Sequence, residues 1–208
     1  MDKIDLEAPG AVTIRPLTVA DRDACVAVEN ACFTNPDHRA TPEKFSYRLT
    51  ACPEICLGVF VHTTNAEALA QSSSGVMVGH VIATRCTTDV LTDASMGVPK
   101  DWRQAAVDPS SVPASPLGHQ TQGSTVAVHS LGVVPSVQGK GLGTKLMKAY
   151  LERMAELSKT DKQHKIDRVA LICQDYLVDY YKKLGFASNG PSEAQFGGGG
   201  WFDMYYAI

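Results

Sequence analysis

Apolar and polar residues recur along the chain with two periods, and the changes of period mark its elements. VTIRP (Val12–Pro16) reads as a short strand closed by proline. Behind it, Ala24, Val28 and Ala31 fall at helical spacing, with Thr18 and Asp21 placed as in a capping box. PEKFSYRLTAC is a second helix with Pro42 in its first turn. ICLGVFVH (Ile55–His62) and VMVGHVIATRCT are strands of an antiparallel pair, joined by the polar stretch TTNAEALAQSSSG. From Asp89 to Gln122 the pattern lapses among Pro99, Pro109, Pro113 and Pro116, which predicts a long loop inserted into the fold. STVAVHSLGVV (Ser124–Val134) is a strand that runs into a glycine-rich turn. The helix after it carries Leu146, Tyr150, Met154 and Leu157 on one stripe. DRVALICQ is a buried strand, DYLVDYYKKLGF a helix ending at Gly185, and GGGGWFDMYYAI a glycine turn with a final strand. No segment repeats.

This order combines an early hairpin with late β-α-β crossovers. It predicts an α/β class fold (an α+β mixed sheet) of about seven strands with helices on both faces, in a single domain over residues 1–208. Composition narrows the classes. With 44% hydrophobic and 20% charged residues among 208, the chain reads as globular. A net charge of −3 without a basic face argues against nucleic acid. No apolar run reaches the length of a membrane span, and MDKIDLEAPG lacks the apolar region of a secretory signal, so a cytoplasmic protein is expected. The six cysteines are scattered among apolar neighbours with no C-x-x-C pair, which disfavours disulfides and zinc. The oligomeric state is left open.

VHSLGVVPSVQGKGLGTKLM (Val128–Met147) is the most informative stretch. A Rossmann fingerprint needs G-x-G-x-x-G, but Gly139, Gly141 and Gly143 are spaced G-x-G-x-G and no acid ends the next strand. A Walker loop needs its lysine elsewhere than Lys140. Two readings are left: a pyrophosphate cradle of backbone N–H groups at a helix start, or a helix-start turn that binds nothing. Q/R-x-x-G-x-G/A is the acyl-coenzyme A signature of the GNAT N-acetyltransferases, and VQGKGLGTKLM resembles it closely. CPEICLGVF (Cys52–Phe60), AVHSLGV (Ala127–Val133), QGKG and ICQDYLVDYYKKLGFASNGPS (Ile172–Ser192) resemble, in order, segments of the serotonin (arylalkylamine) N-acetyltransferases, in a non-vertebrate form. The resemblance spans most of residues 12–206, with Asp89–Gln122 poorly matched.

The resemblance implies the GNAT fold, acetyl-CoA as the acetyl-donor cosubstrate, no metal, and a small-molecule amine as acceptor, attacked directly without a covalent enzyme intermediate. Backbone groups of Leu131, Gly132 and Val133 would pair with the pantetheine arm. N–H groups of Gln138, Gly139, Lys140, Gly141, Leu142 and Gly143 would hold the pyrophosphate, with added charge from Lys140. Acetyl transfer needs a neutral amine, a stabilised oxyanion and a proton for the departing thiolate. His129 is the candidate base, acting through water; strict alternation along its strand places it on one face with Ala127, Leu131 and Val133. Ala127 stands where the related enzymes have a second histidine, so any relay needs a different partner. Tyr181 is the candidate acid, while Cys173 reads as inert core. Phe33, the TNPDHRAT loop, Pro53, Leu57, Trp201 and Phe202 are candidate walls of an apolar acceptor site. Glu29 and Asp37 could instead steer a polycation, although such acids are more often solvated. The alternatives are a polyamine or peptide/protein N-acetyltransferase, and a non-catalytic acyl-CoA-binding module. Regulatory tails of the vertebrate kind are not evident, so no tail-phosphorylation switch is expected.

Overall fold

The computed structural model describes residues 11–62, 75–161 and 163–208, so the polar connection expected between the second and third strands lies largely outside the described residues. Seven strands form one sheet in the order β1-β2-β3-β4-β5-β7-β6. They are β1 (Val12–Pro16), β2 (Leu57–Val61), β3 (Val76–Cys86), β4 (Thr125–Val133), β5 (Arg168–Cys173), β6 (Ala187–Pro191) and β7 (Phe202–Ala207). Neighbours run antiparallel except β4 and β5, which are parallel. That pair needs a crossover, which α4 (Leu142–Thr160) supplies. β6 is the strand that the hydrophobic pattern did not single out. ASNGP is an exposed edge with no apolar alternation, and it extends because β7 offers it a ladder.

Helices cover both faces. On one side, α4 buries Leu146, Tyr150 and Met154 completely against Val126 and Val128 of β4 and Val169 and Leu171 of β5. The stripe read from the sequence is this buried face, with Leu157 at its margin. α5 (Val178–Lys183) joins the same cluster through Tyr181. On the other side lie α1 (Arg22–Cys32) and α2 (Pro42–Ala51), which pack Val28, Phe45 and Leu49 with Ile82. The turn into α1 is held by the Thr18 N–H donating to Asp21 Oδ2 at 2.9 Å, the reciprocal bond that the sequence pattern predicted. α2 starts at Pro42, with Thr41 Oγ1 accepting from the Lys44 N–H.

The segment from Asp89 to Gln122 carries a short helix of its own, α3 (Trp102–Val107). It is fastened to α2 and β3. The Trp102 ring lies 5.7 Å from Tyr47, Tyr47 Oη accepts from the His119 N–H at 2.7 Å, and His119 Nδ1 accepts from the Arg85 N–H at 3.1 Å. Proline-rich composition hid this order, because the contacts that create it come from other elements.

Candidate active site

β4 does not alternate along its whole length. Val128 pairs with Ala83 and Ser130 with Ile82, so His129 has no partner on β3 and forms a one-residue bulge. Before the bulge Val126 and Val128 pack into the α4 cluster; after it, Leu131 and Val133 do. Ala127, Ser130 and Gly132 take the opposite face, where Ser130 reaches Glu29 and Gly132 lies under Cys32 of α1. The expected parity therefore fails beyond residue 129. His129 shares the α1 face with Ala127, but Leu131 and Val133 point the other way, because the extra residue shifts the period by one. His129 bonds Thr84 of β3 through Nε2 at 2.7 Å, while its Nδ1 is buried with no partner among the described residues.

Next to the bulge the sheet splits. The parallel ladder of β4 and β5 ends at the pair Val128 and Leu171. Beyond it the strands separate, and a cleft opens whose walls include His129, Leu131, Cys173 and Tyr181. Phe33, at the end of α1, and Trp201, before β7, also line it. The Trp201 ring lies 5.0 Å from His38, and its indole N–H donates to Phe196 O at 2.7 Å, so that wall is held from two sides. Three of the expected acceptor walls do not line the cleft: Leu57 is buried within β2 in the apolar cluster under α4, Pro53 opens the 3-10 turn after α2, and Phe202, at the start of β7, packs against that apolar cluster. In their place the inserted segment contributes Leu91 and Met96. No periodicity marked those two residues, which reach the cleft through the course of the loop.

The electrostatics separate the cleft's two titratable candidates. Burial, with Arg48 and Lys44 nearby, holds the His129 imidazole well below its ordinary value, so it is neutral at pH 7. Burial, with Tyr180, Cys173 and Tyr176 nearby, pushes the Tyr181 phenol above its ordinary value and keeps it protonated. Burial also pushes the Cys173 thiol up to about 11, the environment of an inert thiol. All six cysteines are free thiols.

The glycine turn follows directly on β4. Gly139 and Gly141 have φ of +73° and +76°, a backbone region that residues with a Cβ enter only under strain. A Cβ at either would meet nothing within 4 Å, so their surroundings are open. Gly141 is the N-cap of α4, and Gln138 Nε2 ties the turn to Val133 O at 2.7 Å. An open cradle of backbone at the start of a 19-residue helix fits an anionic pyrophosphate. The free edge of β4 beyond Val128, running from His129 toward this turn, fits an extended arm bearing amides.

A second polar group lies behind β4. Glu29 is 2% exposed, which corrects both of its expected readings, an acid that steers a polycation and a solvated surface acid. Its carboxylate accepts from Ser130 Oγ at 2.6 Å and from the Ala40 N–H at 2.7 Å, and His80 Nε2 lies 3.3 Å away. The same His80 nitrogen is 3.0 Å from Ser130 Oγ. These hydrogen bonds hold the Glu29 carboxyl below its ordinary value in spite of burial. Helical spacing alone could not separate Glu29 from surface acids, because its partners come from two other strands. Asp37 stays exposed, as expected.

Comparison with known proteins finds relatives and neighbours of one kind. Residues 114–207 match the family model described as "Acetyltransferase (GNAT) domain". Serotonin N-acetyltransferase of Mesocricetus auratus is 25% identical over 171 residues, which cover 82% of this chain. The matched stretch spans 61% of that relative's length. The fold is also that of a GNAT-like decarboxylase, GphF, in complex with isobutyryl-CoA (TM-score 0.57, 18% identity, 94% of this chain and 98% of that one). A second neighbour is the NatC complex bound to Gag peptide and CoA (TM-score 0.59, 12% identity, 95% of this chain and 98% of that one). Among the described residues no helix is long and apolar enough to cross a membrane, and no group of three or more His, Cys, Asp or Glu residues is placed to hold a metal ion.

Proposed function

We propose that this protein transfers the acetyl group of acetyl-CoA to the primary amine of an arylalkylamine such as tryptamine or serotonin. The observation that carries the reading is the split between β4 and β5, with the bulged His129 on one strand, Tyr181 beside the other and the glycine cradle at the end of the opening. In this reading the pantetheine arm lies along Leu131, Gly132 and Val133, and the backbone of Gln138–Gly143 holds the pyrophosphate, with Lys140 adding charge. The thioester then sits between His129 and Tyr181. A neutral imidazole is the form that can take a proton from an alkylammonium, and the buried, unpartnered Nδ1 is a natural seat for the water that carries it. The amine nitrogen attacks the carbonyl carbon, a tetrahedral intermediate forms, and its collapse releases coenzyme A thiolate. Tyr181, held protonated, gives the thiolate its proton. Aromatic walls at Phe33 and Trp201 suit a flat, apolar tail. We read residues 1–208 as a single domain acting in the cytoplasm.

The test is thiol release from acetyl-CoA with tryptamine, serotonin, phenylethylamine, spermidine and a lysine peptide, for wild type, His129→Ala and Tyr181→Phe. Turnover on aryl amines that drops in both variants is the expected result. Preference for spermidine or the peptide would replace the acceptor class. Coenzyme binding without turnover on any amine would favour a binding module instead.

A further inference from the structure

The proposed reaction leaves one proton without a destination. His129 is held neutral by its surroundings, with the cations of Lys44 and Arg48 on α2 acting on it, so it passes a proton on more readily than it keeps one. Position 127, the neighbour on its own face of the strand, is alanine. The bulge supplies a different neighbour. Because His129 is the extra residue, the next side chain, Ser130, comes to the same face of the sheet, and both residues line the cleft. Ser130 Oγ is already hydrogen-bonded to the fully buried pair of Glu29 and His80, and His80 Nδ1 is buried with no partner among the described residues.

We infer that Ser130, His80 and Glu29 form a buried proton relay that takes the place of a second histidine beside His129. The inference rests on the acetyl-transfer reading above. The proton that leaves the ammonium nitrogen is taken up by His129 through cleft water. His129 passes that proton through cleft water to Ser130 Oγ as Ser130 gives its own to Glu29 Oε2, the contact already made at 2.6 Å, and His129 returns to its neutral form. The electron pairs stay on their atoms, one carboxylate becomes a carboxylic acid, and one ammonium becomes the amine nucleophile. His80, donating from Nε2, holds the serine hydroxyl toward the carboxylate. The arrangement is not that of a hydrolase triad: the carboxylate meets the same imidazole nitrogen as the serine and leaves Nδ1 without an acid to orient it. Ser130 is therefore read as a proton carrier and not as a nucleophile, with Glu29 and His80 acting through it.

The groups facing Glu29 set its titration. His80 comes from β3, Ser130 from β4, Lys44 and Arg48 from α2, and Cys25 and Cys32 from its own helix. Arg48 is itself 2% exposed and donates to Met96 O at 3.2 Å, so the carboxylate has a buried cation in range without a direct pair.

The test is the pH profile of kcat/KM on the best amine for wild type, Glu29→Gln and Ser130→Ala, with acetyl-CoA affinity and thermal midpoint measured on each. Glu29→Gln keeps an acceptor for the Ala40 N–H but loses the proton site; Ser130→Ala removes one hydroxyl and serves if the first variant does not fold. The relay predicts that kcat/KM at pH 7 falls roughly 100-fold in either variant, within the usual span for proton-transfer catalysis. It also predicts that the rising limb moves to higher pH and that coenzyme affinity is unchanged. Folded variants that keep the wild-type profile would overturn the relay and leave acetyl transfer standing. A wild type that acetylates no amine would overturn the acetyl-transfer reading and the relay with it, which the wild-type profile alone reveals.

Discussion

The two faces of the sheet are built to different rules. Under α4 the interior is almost wholly apolar: Leu146, Met147 and Met154 are completely buried against Val126, Val128, Val169 and Leu171. Under α1 and α2 the same sheet buries Glu29, Arg48, His80, Thr84 and Ser130 among apolar neighbours. Burying such groups is costly unless each finds a partner, and here most do, while Arg48 Nε, His80 Nδ1 and His129 Nδ1 have none among the described residues. One face is packed almost wholly by apolar side chains; the other buries polar groups within an apolar cluster of its own. The difference predicts that stability and the proposed chemistry are separable in this chain, and each claim can be broken by experiment.

The largest effects should fall on activity. Tyr181→Phe and His129→Ala should each lower kcat on the preferred amine by roughly 100- to 10,000-fold, the usual span for losing a general acid or base. Coenzyme binding measured calorimetrically should stay near wild type. On the opposite face, Leu146→Ala should cost about 2–5 kcal/mol of stability, read as a lower urea midpoint, with an unaltered pH profile in the protein that remains folded. A pH profile changed by that substitution would mean that the two faces are not separable.

Acid should attack the polar side first. Burial, with Arg85 nearby, lowers His119 to about 4, and His129 is also held below 6.5, so both are neutral in the fold. The unfolded chain binds more protons below its own value, so stability is fully present above pH 6.5 and declines as the pH falls beneath it. The slope is about 1.4 kcal/mol per pH unit for each histidine until the folded value is reached. Glu29, lowered from 4.5, adds a further loss as the pH falls below that point. Urea midpoints across pH 4 to 7 should show this decline, and His119→Gln should remove one histidine's share. The smallest effect should come at the turn: Gly141→Ala forces a left-handed residue, costing about 1–2 kcal/mol. It should also weaken coenzyme binding measurably, with little change in kcat.

Much of this molecule is legible from sequence because local pattern and tertiary demand agree. The α4 stripe is its buried face, Thr18 and Asp21 close their turn, and the glycine spacing marks a turn with two left-handed residues. The misreadings share a cause. β6 takes its form from β7, α3 and its flanks are fixed by Tyr47 and Arg85, and Glu29 is buried by partners about 50 and 100 residues away in the chain. Leu57 and Pro53 looked like cleft walls because the resemblance ran through them, but β2 lies two strands from the split. No period of two or 3.6 carries such information. The bulge is the sharpest case. A strand read at strict alternation cannot show where one residue has been added, and that residue is the candidate base.

This gives His129 an unusual status in the architecture. Take it out altogether, and Val128, Ser130 and Leu131 fall into ordinary alternation with every remaining side chain on the face it already occupies. Deleting Val128 instead would also remove the extra residue, but it would turn His129 onto the apolar face under α4. The chain without His129 should therefore fold with a thermal midpoint near that of His129→Ala, while the chain without Val128 should melt lower, because an imidazole then replaces a valine in the apolar cluster. By this measure the strand is structurally complete at eight residues, and the ninth is the proposed base.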